Sequence, residues 1–163
     1  IPLDPYYLAN KAREYDFHTR FIELAAEINE HMPYYTVSRI METLNAQGKS
    51  LNGAKVLVLG AAYKKDMVDM RESPSLKLIQ LLQEKGTRVS YNDPYISKLQ
   101  LPHNSLNSVV LTEENLSSAD CVIIATDHSC YNWEQIATQA KLVFDTRGVT
   151  QGLKRKNIFR LGE

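Results

Sequence analysis

Val56-Leu57-Val58-Leu59-Gly60-Ala61-Ala62-Tyr63-Lys64-Lys65, running on through Asp66-Met67-Val68-Asp69-Met70-Arg71-Glu72 into Ser73-Pro74, decides how the chain is read. Four consecutive apolar residues ending at a glycine are the pattern of a strand covered on both faces, as in the interior of a parallel sheet. Polar and charged residues dominate from Lys64 to Glu72. Ser73-Pro74 then has the form of a helix N-cap with proline at the first helical position. A charged loop between a buried strand and a helix start lies where parallel sheets bind ligands, and this one holds Lys64, Lys65 and Arg71. That combination points to an anionic ligand.

Downstream, apolar runs alternate with helical patterns. Strands are expected at 88–91, 109–111, 121–125, 142–144 and 158–161, with helices over 74–85 (closed by Gly86), 113–118 and 133–140. Strand and helix in alternation, with continuous apolar strands, predict an α/β fold built on a doubly wound parallel sheet. Ligands of such sheets bind outside the carboxyl ends of the strands. The loops at that edge are 60–72, 126–131 and 145–148, so Lys64, Lys65, Arg71, His128 and Arg147 are expected on one rim, although any one of them alone reads as ordinary surface.

Upstream, Pro2 and Pro5 predict an extended or turning start, followed by a short helix over 8–15. From Thr19 the apolar positions Phe21, Leu24, Ala25, Ile28, Met32 and Tyr35, continued by Val37, Ile40, Met41 and Leu44, recur at helical spacing. Pro33 predicts a kink or break near Met32, and Gln47-Gly48-Lys49-Ser50 ends the helix. One small sheet domain cannot cover so long a stripe. It is expected to pack against another domain or a second copy of itself, the alternative being that it folds back over the sheet. The chain thus divides into residues 1–50, helical, and 51–163, the sheet domain.

A length of 163 residues is enough to bury roughly 68–70% of the unfolded surface, and 44% apolar with 23% charged residues is the composition of a soluble globular protein. Zero net charge lacks the electrostatic footprint of a nucleic-acid binder. Cys121 and Cys130 do not make a disulfide framework and form no CxxC. Cys121, inside an apolar run, reads as inert core. With no signal-peptide pattern and no apolar run long enough to span a bilayer, a soluble cytoplasmic protein is expected. Because the first residue is not Met, the chain is expected to be a piece of something longer.

Gly60 is followed by Ala61-Ala62-Tyr63 rather than by the second and third glycines of a dinucleotide fingerprint, so side chains rather than bare backbone would have to meet a phosphate. Asp93 lies well past the roughly 20 positions at which a ribose-binding carboxylate is expected, and with Pro94 behind it a structural turn is the better reading. His18, His31, His103 and His128 show no metal-ligand spacing. His128 is a candidate for acid–base work, but a loop histidine without a visible partner reads more readily as a binding or solvent-exposed residue. Asp4, between Pro2 and Pro5, is a rigid carboxylate with no evident structural task.

Ile1-Pro2-Leu3-Asp4-Pro5-Tyr6-Tyr7-Leu8 and Gly60-Ala61-Ala62-Tyr63-Lys64-Lys65-Asp66 through Asp69-Met70-Arg71-Glu72-Ser73-Pro74, with Tyr91-Asn92-Asp93-Pro94-Tyr95, Ala125-Thr126-Asp127-His128 and Asp145-Thr146-Arg147, resemble the UDP-glucose/GDP-mannose dehydrogenase family. The resemblance covers nearly the whole chain and leans toward the UDP-N-acetylhexosamine and UDP-glucose 6-dehydrogenases. It implies oxidation of a nucleotide sugar at C6 to a carboxylate in two NAD-dependent steps, through a cysteine thiohemiacetal and thioester. It also implies that residues 1–50 are the end of a central, homodimer-forming helical region and that 51–163 are a Rossmann-like domain binding the UDP-sugar substrate. Carried over by motif, Asp4 is the carboxylate beside the catalytic cysteine, Tyr63 and Lys64 contact substrate, Arg147 closes on the nucleotide sugar, and Arg71 reaches the cofactor. The family's nucleophilic cysteine sits immediately before the Ile-Pro-x-Asp-Pro segment, and its glycine-rich NAD domain lies further upstream. The 163 residues alone are therefore expected to be inactive, since thiol and hydride acceptor perform the chemistry. A free-standing nucleotide-binding module and an interaction module built on the long helix are the competing readings.

Overall fold

The computed structural model describes residues 3–163, with Leu3 described by its backbone alone. In chain order the elements are α1 (Leu3–Arg13), α2 (Arg20–Ala46), β1 (Lys55–Leu59), α3 (Pro74–Glu84), β2 (Arg88–Asn92), β3 (Lys98–Gln100) and β4 (Ser105–Asn107). They continue with α4 (Glu113–Ser118), β5 (Cys121–Ile124), α5 (Trp133–Gln139), β6 (Val143–Asp145) and β7 (Ile158–Arg160). Five strands form one sheet in the order β2-β1-β5-β6-β7, and every pair in it is parallel. The doubly wound sheet anticipated from the apolar runs is therefore present. β3 and β4 make a separate antiparallel pair beside it.

Period-two alternation sorts each central strand between two layers. Val56 and Val58 of β1, Cys121 and Ile123 of β5, and Phe144 of β6 pack with Leu78, Ile79 and Leu82 of α3 on one face. Leu57, Leu59, Val122, Ile124 and Val143 pack with Leu116 of α4 and Ile136 and Ala137 of α5 on the other. Local signals start the helices: the side chains of Ser73, Thr112 and Asn132 each accept a backbone N–H in the first turn, at α3, α4 and α5 respectively. Pro74 occupies the opening turn of α3, where no amide hydrogen is required.

Three expectations are corrected. The start is not extended beyond Pro2, which lies outside the described residues: α1 already begins at Leu3. Pro5 falls in its first turn, where an N–H has no intrahelical partner, so proline costs little there. Asp4 lies in the same turn, where a carboxylate is favoured by the positive end of a helix. The break at Pro33 is absent. α2 runs through it for 27 residues, and the ring is buried rather than solvated, so packing offsets the lost bond. The strand expected at 109–111 does not form: Val109 N–H donates to the Tyr91 carbonyl at 2.8 Å, but the Val109 carbonyl takes the Asn92 side-chain amide at 2.7 Å in place of a backbone partner, and the ladder stops at an isolated bridge between Tyr91 and Ser108.

α2 divides its long stripe between two fates. Val37, Ile40 and Leu44 are buried in the core layer shared with β1 and α3, so the C-terminal half does fold back over the sheet. Phe21, Leu24 and Ile28 remain exposed, Phe21 at 89%.

Candidate functional site

The strand order reverses between β1 and β5, and the loops leaving their carboxyl ends meet there. Gly60 marks the crossing. It has φ +86°, and a Cβ on it would lie 2.7 Å from both the backbone N and O of Thr126 and still closer to the Thr126 Cβ. Only glycine allows both the turn and the approach. Thr126 Oγ1 then donates to the Ala62 carbonyl at 2.7 Å, joining the two loops.

Asp93, at the end of β2, sits beneath this crossing. Its Oδ2 accepts from the amides of Ala61 (2.7 Å) and Ala62 (2.9 Å), and its Oδ1 accepts from the amides of Tyr95 (2.8 Å) and Ile96 (3.0 Å). His128 Nε2 lies 3.1 Å from Oδ2. Burial pushes the carboxyl up, but the amides of Ala61, Tyr95 and Ala62 push it down by more, leaving it below the ordinary carboxylate value. In a dinucleotide-binding turn the amides after the first strand face the pyrophosphate. Here they already hold an internal anion, so NAD does not fit at this turn. The reading of Asp93 as a turn residue is the one the structure bears out.

The residues singled out by sequence are only partly brought together. Tyr63 and Lys64 are, with the Lys64 ammonium 5.6 Å from the Tyr63 ring centroid. Tyr63 N–H donates to the Asp69 carbonyl at 2.7 Å, which folds residues 63–69 into a compact loop. Arg71 is 87% exposed and forked onto Asp69, with Nε–Oδ1 at 3.0 Å and Nη2–Oδ2 at 2.9 Å. That fork and the Arg71 amide hold the Asp69 carboxyl down at about 2. Arg147 stands at the end of β6 with Nε donating to Asp127 Oδ1 at 3.2 Å, which leaves its terminal nitrogens unused by this pair. Asp145 beneath it accepts from the amides of Arg147, Gly148 and Thr150, and so sets the direction in which Arg147 leaves the sheet. Asp4 is exposed on α1.

A cavity of about 1080 Å³ opens between α2, the N-terminus of α3 and the β1 loop, with Pro5, Pro33, Tyr63, Ser73 and Lys77 among its walls. Tyr63 is the one sequence candidate that lines it, while Pro5 brings the neighbour of Asp4 to its edge. Lys77 is a cavity cation that the sequence hid within an amphipathic helix. His128 is also corrected. It is neither exposed nor on the rim but fully buried, packed against the tilted rings of Tyr95 and Tyr131 at ring-centroid distances of 5.0 and 5.8 Å. Its partners, Asp66 and Asp93, lie far from it in sequence, so no local signal could reveal them. Among the described residues no group of three or more His, Cys, Asp or Glu side chains is placed to hold a metal ion, and no helix is long and apolar enough to cross a membrane.

A parallel sheet whose switch point is sealed against a dinucleotide but rimmed by a tyrosine–lysine pair and an oriented arginine defines a class of Rossmann-like ligand-binding domain. Residues 57–152 match the family model described as UDP-glucose/GDP-mannose dehydrogenase family, UDP binding domain, and the chain belongs to that family. It is 31% identical over 159 residues to a UDP-N-acetyl-D-mannosamine dehydrogenase of Methanococcus maripaludis, an alignment covering 93% of this chain and 34% of that protein. Among solved structures, a UDP-D-ManNAc dehydrogenase of Pyrococcus horikoshii superposes with a TM-score of 0.78 at 28% identity, over 98% of this chain and 36% of the other. A UDP-glucose dehydrogenase of Pyrobaculum islandicum does so with a TM-score of 0.73 at 27% identity, over 96% and 35% respectively. The chain thus spans about a third of the length of the relatives it matches.

Proposed function

We propose that this chain is the substrate-nucleotide-binding part of an NAD-dependent UDP-sugar 6-dehydrogenase, an enzyme that oxidises the C6 alcohol of a UDP-sugar to a carboxylate. The observation that carries the reading is the carboxylate of Asp93 on the amides of Ala61 and Ala62. With those amides taken, a pyrophosphate at this edge must be met by side chains. Lys64 and Arg147 are assigned to the substrate's phosphates and nucleotide end, Tyr63 to the substrate from its place on the cavity wall, and Asp4 to the catalytic edge beside Pro5. Arg71, exposed on the same loop, is assigned to the cofactor, and its fork with Asp69 must open for that contact. NAD would supply the hydride acceptor, held by residues other than the β1 turn. Residues 1–50 are assigned to the dimer-forming central region and 51–163 to the UDP-sugar-binding domain, with the exposed Phe21, Leu24 and Ile28 supporting a homodimer through α2.

The 163 residues by themselves are proposed to bind without oxidising. Burial pushes the Cys121 thiol up to about 12, and desolvation also raises that of Cys130, so neither resembles an activated thiolate.

A thermal-shift panel of UDP, GDP, UDP-glucose and UDP-N-acetylhexosamines tests the reading. Stabilisation of about 2.7 kcal/mol is expected at a hundredfold excess over Kd, with uridine nucleotides ahead of GDP. Lys64→Ala should weaken UDP binding by roughly ten- to a hundredfold, the worth of one charge-assisted hydrogen bond. Unchanged affinity in a folded variant removes Lys64 from the site, and no shift with any nucleotide removes the binding function from this chain.

A further inference from the structure

His128 is a fully buried imidazole, and both of its nitrogens are engaged. Nδ1 accepts the backbone N–H of Asp66 at 3.0 Å, so Nδ1 must be unprotonated and the proton must sit on Nε2. Nε2 faces Asp93 Oδ2 at 3.1 Å, and that oxygen is the one on the amides of Ala61 and Ala62. The ring therefore ties the middle of the β1 loop to the anion that holds the start of the loop. Asp66 itself has a φ of 57°, in the left-handed region that aspartate adopts more readily than most residues with a Cβ. Its side chain repeats the tie in the opposite direction, accepting from Ser129 N at 2.8 Å and Ser129 Oγ at 2.6 Å. Lys64 thus lies between two fixed points, Tyr63 bonded to the Asp69 carbonyl and Asp66 bonded to His128.

We infer that His128, as the neutral Nε2–H tautomer, is a positioning residue that fixes the direction in which the Tyr63–Lys64 pair meets its ligand. The inference rests on the nucleotide-binding reading of that loop. It assigns His128 no contact with substrate and no proton transfer. Ordering the loop before the ligand arrives removes an entropic cost from binding, so breaking the tie should lower nucleotide affinity even though every side chain that touches the ligand is still present.

The wild-type 163-residue chain is tested first by NMR. The ¹⁵N pattern of an Nε2–H imidazole at His128 and a through-hydrogen-bond coupling from the Asp66 amide to Nδ1 are expected. An Nδ1–H tautomer, or absence of that coupling, overturns the inference whether or not any variant folds. Three substitutions then separate the two bonds. His128→Asn places a carbonyl oxygen where Nδ1 stands and keeps an acceptor for Asp66, whereas His128→Gln and His128→Phe do not. Exchange of the Asp66 amide should quicken about two- to tenfold in the Gln and Phe variants, the range that one net hydrogen bond allows, with faster tryptic cleavage after Lys64 and Lys65. The Asn variant should restore protection. UDP affinity, read by calorimetry, should fall with the protection and return with Asn. Unchanged exchange in the Phe variant overturns the tie. Faster exchange with unchanged UDP affinity overturns the positioning role, and Lys64→Ala then shows which reading failed: weakened UDP binding there leaves the nucleotide site standing, and unchanged binding removes the loop from it.

Discussion

Asp93→Asn should be among the most damaging conservative changes in this chain. The carboxylate accepts four backbone amides, two on each oxygen, with His128 Nε2 as a fifth neighbour. An asparagine can turn its carbonyl toward Ala61, Ala62 and His128, or toward Tyr95 and Ile96, but not toward both sets. On the other side an NH₂ group then faces two amide donors. A buried donor left without an acceptor costs about 1–3 kcal/mol, so two cost about 2–6 kcal/mol, before any weakening of the bonds that remain. That is a large share of a typical domain stability of about 5–15 kcal/mol. The sign with pH is also determined. Because the folded-state carboxyl lies below its unfolded value, its contribution is present above the unfolded pKa of about 3.9 and is lost as pH falls through the folded value. Asparagine does not titrate there, so the gap between wild type and variant should be widest near neutrality and shrink in acid. Urea unfolding of both proteins, followed by circular dichroism from neutrality down to acid, measures it. A difference under about 1 kcal/mol at neutral pH, or one that stays constant into acid, would refute the account of Asp93 as an internal anion.

Gly60→Ala should cost about 2–5 kcal/mol, combining the strain of a left-handed alanine with overpacking against Thr126. Urea unfolding within about 1 kcal/mol of wild type would show that the crossing has room to relax. On α2, Ile28→Glu should dissociate the proposed homodimer in light scattering while leaving monomer stability within about 0.5 kcal/mol, because Ile28 is 54% exposed. A wild-type chain that stays monomeric at every concentration would remove the dimer reading for these residues.

Much of the fold was legible because its signals are local. The run Val56–Leu59 is the pattern of a strand covered on both faces, its alternation with helices points to a parallel sheet, and Ser73-Pro74 is a local helix start. β3 and β4 were not legible. Each is three residues long, and in so short a segment pairing rather than propensity settles the structure. The same applies to 109–111, which is β-prone in sequence but has its carbonyl at Val109 claimed by Asn92. For the site, motifs nominated Tyr63, Lys64, Arg71 and Arg147 as candidates. What holds them did not show: the Asp69 fork on Arg71, the Asp127 contact of Arg147, and the burial of His128.

By itself, the sequence determined the alternation of strands and helices in the sheet domain, the helix start at Ser73-Pro74, and the lack of a glycine-rich phosphate turn, since all depend on neighbouring residues and a fixed backbone period. Tertiary structure alone decided that Asp93 fills the place of a bound anion, that His128 ties Asp66 to it, and that half of α2 is buried while half stands open. The physical reason is the same in each case. A buried polar group must find its partner in space, and for Asp93 Oδ2 those partners, the Ala61 and Ala62 amides and His128, arrive from the ends of β1 and β5, brought together only when the strand order reverses.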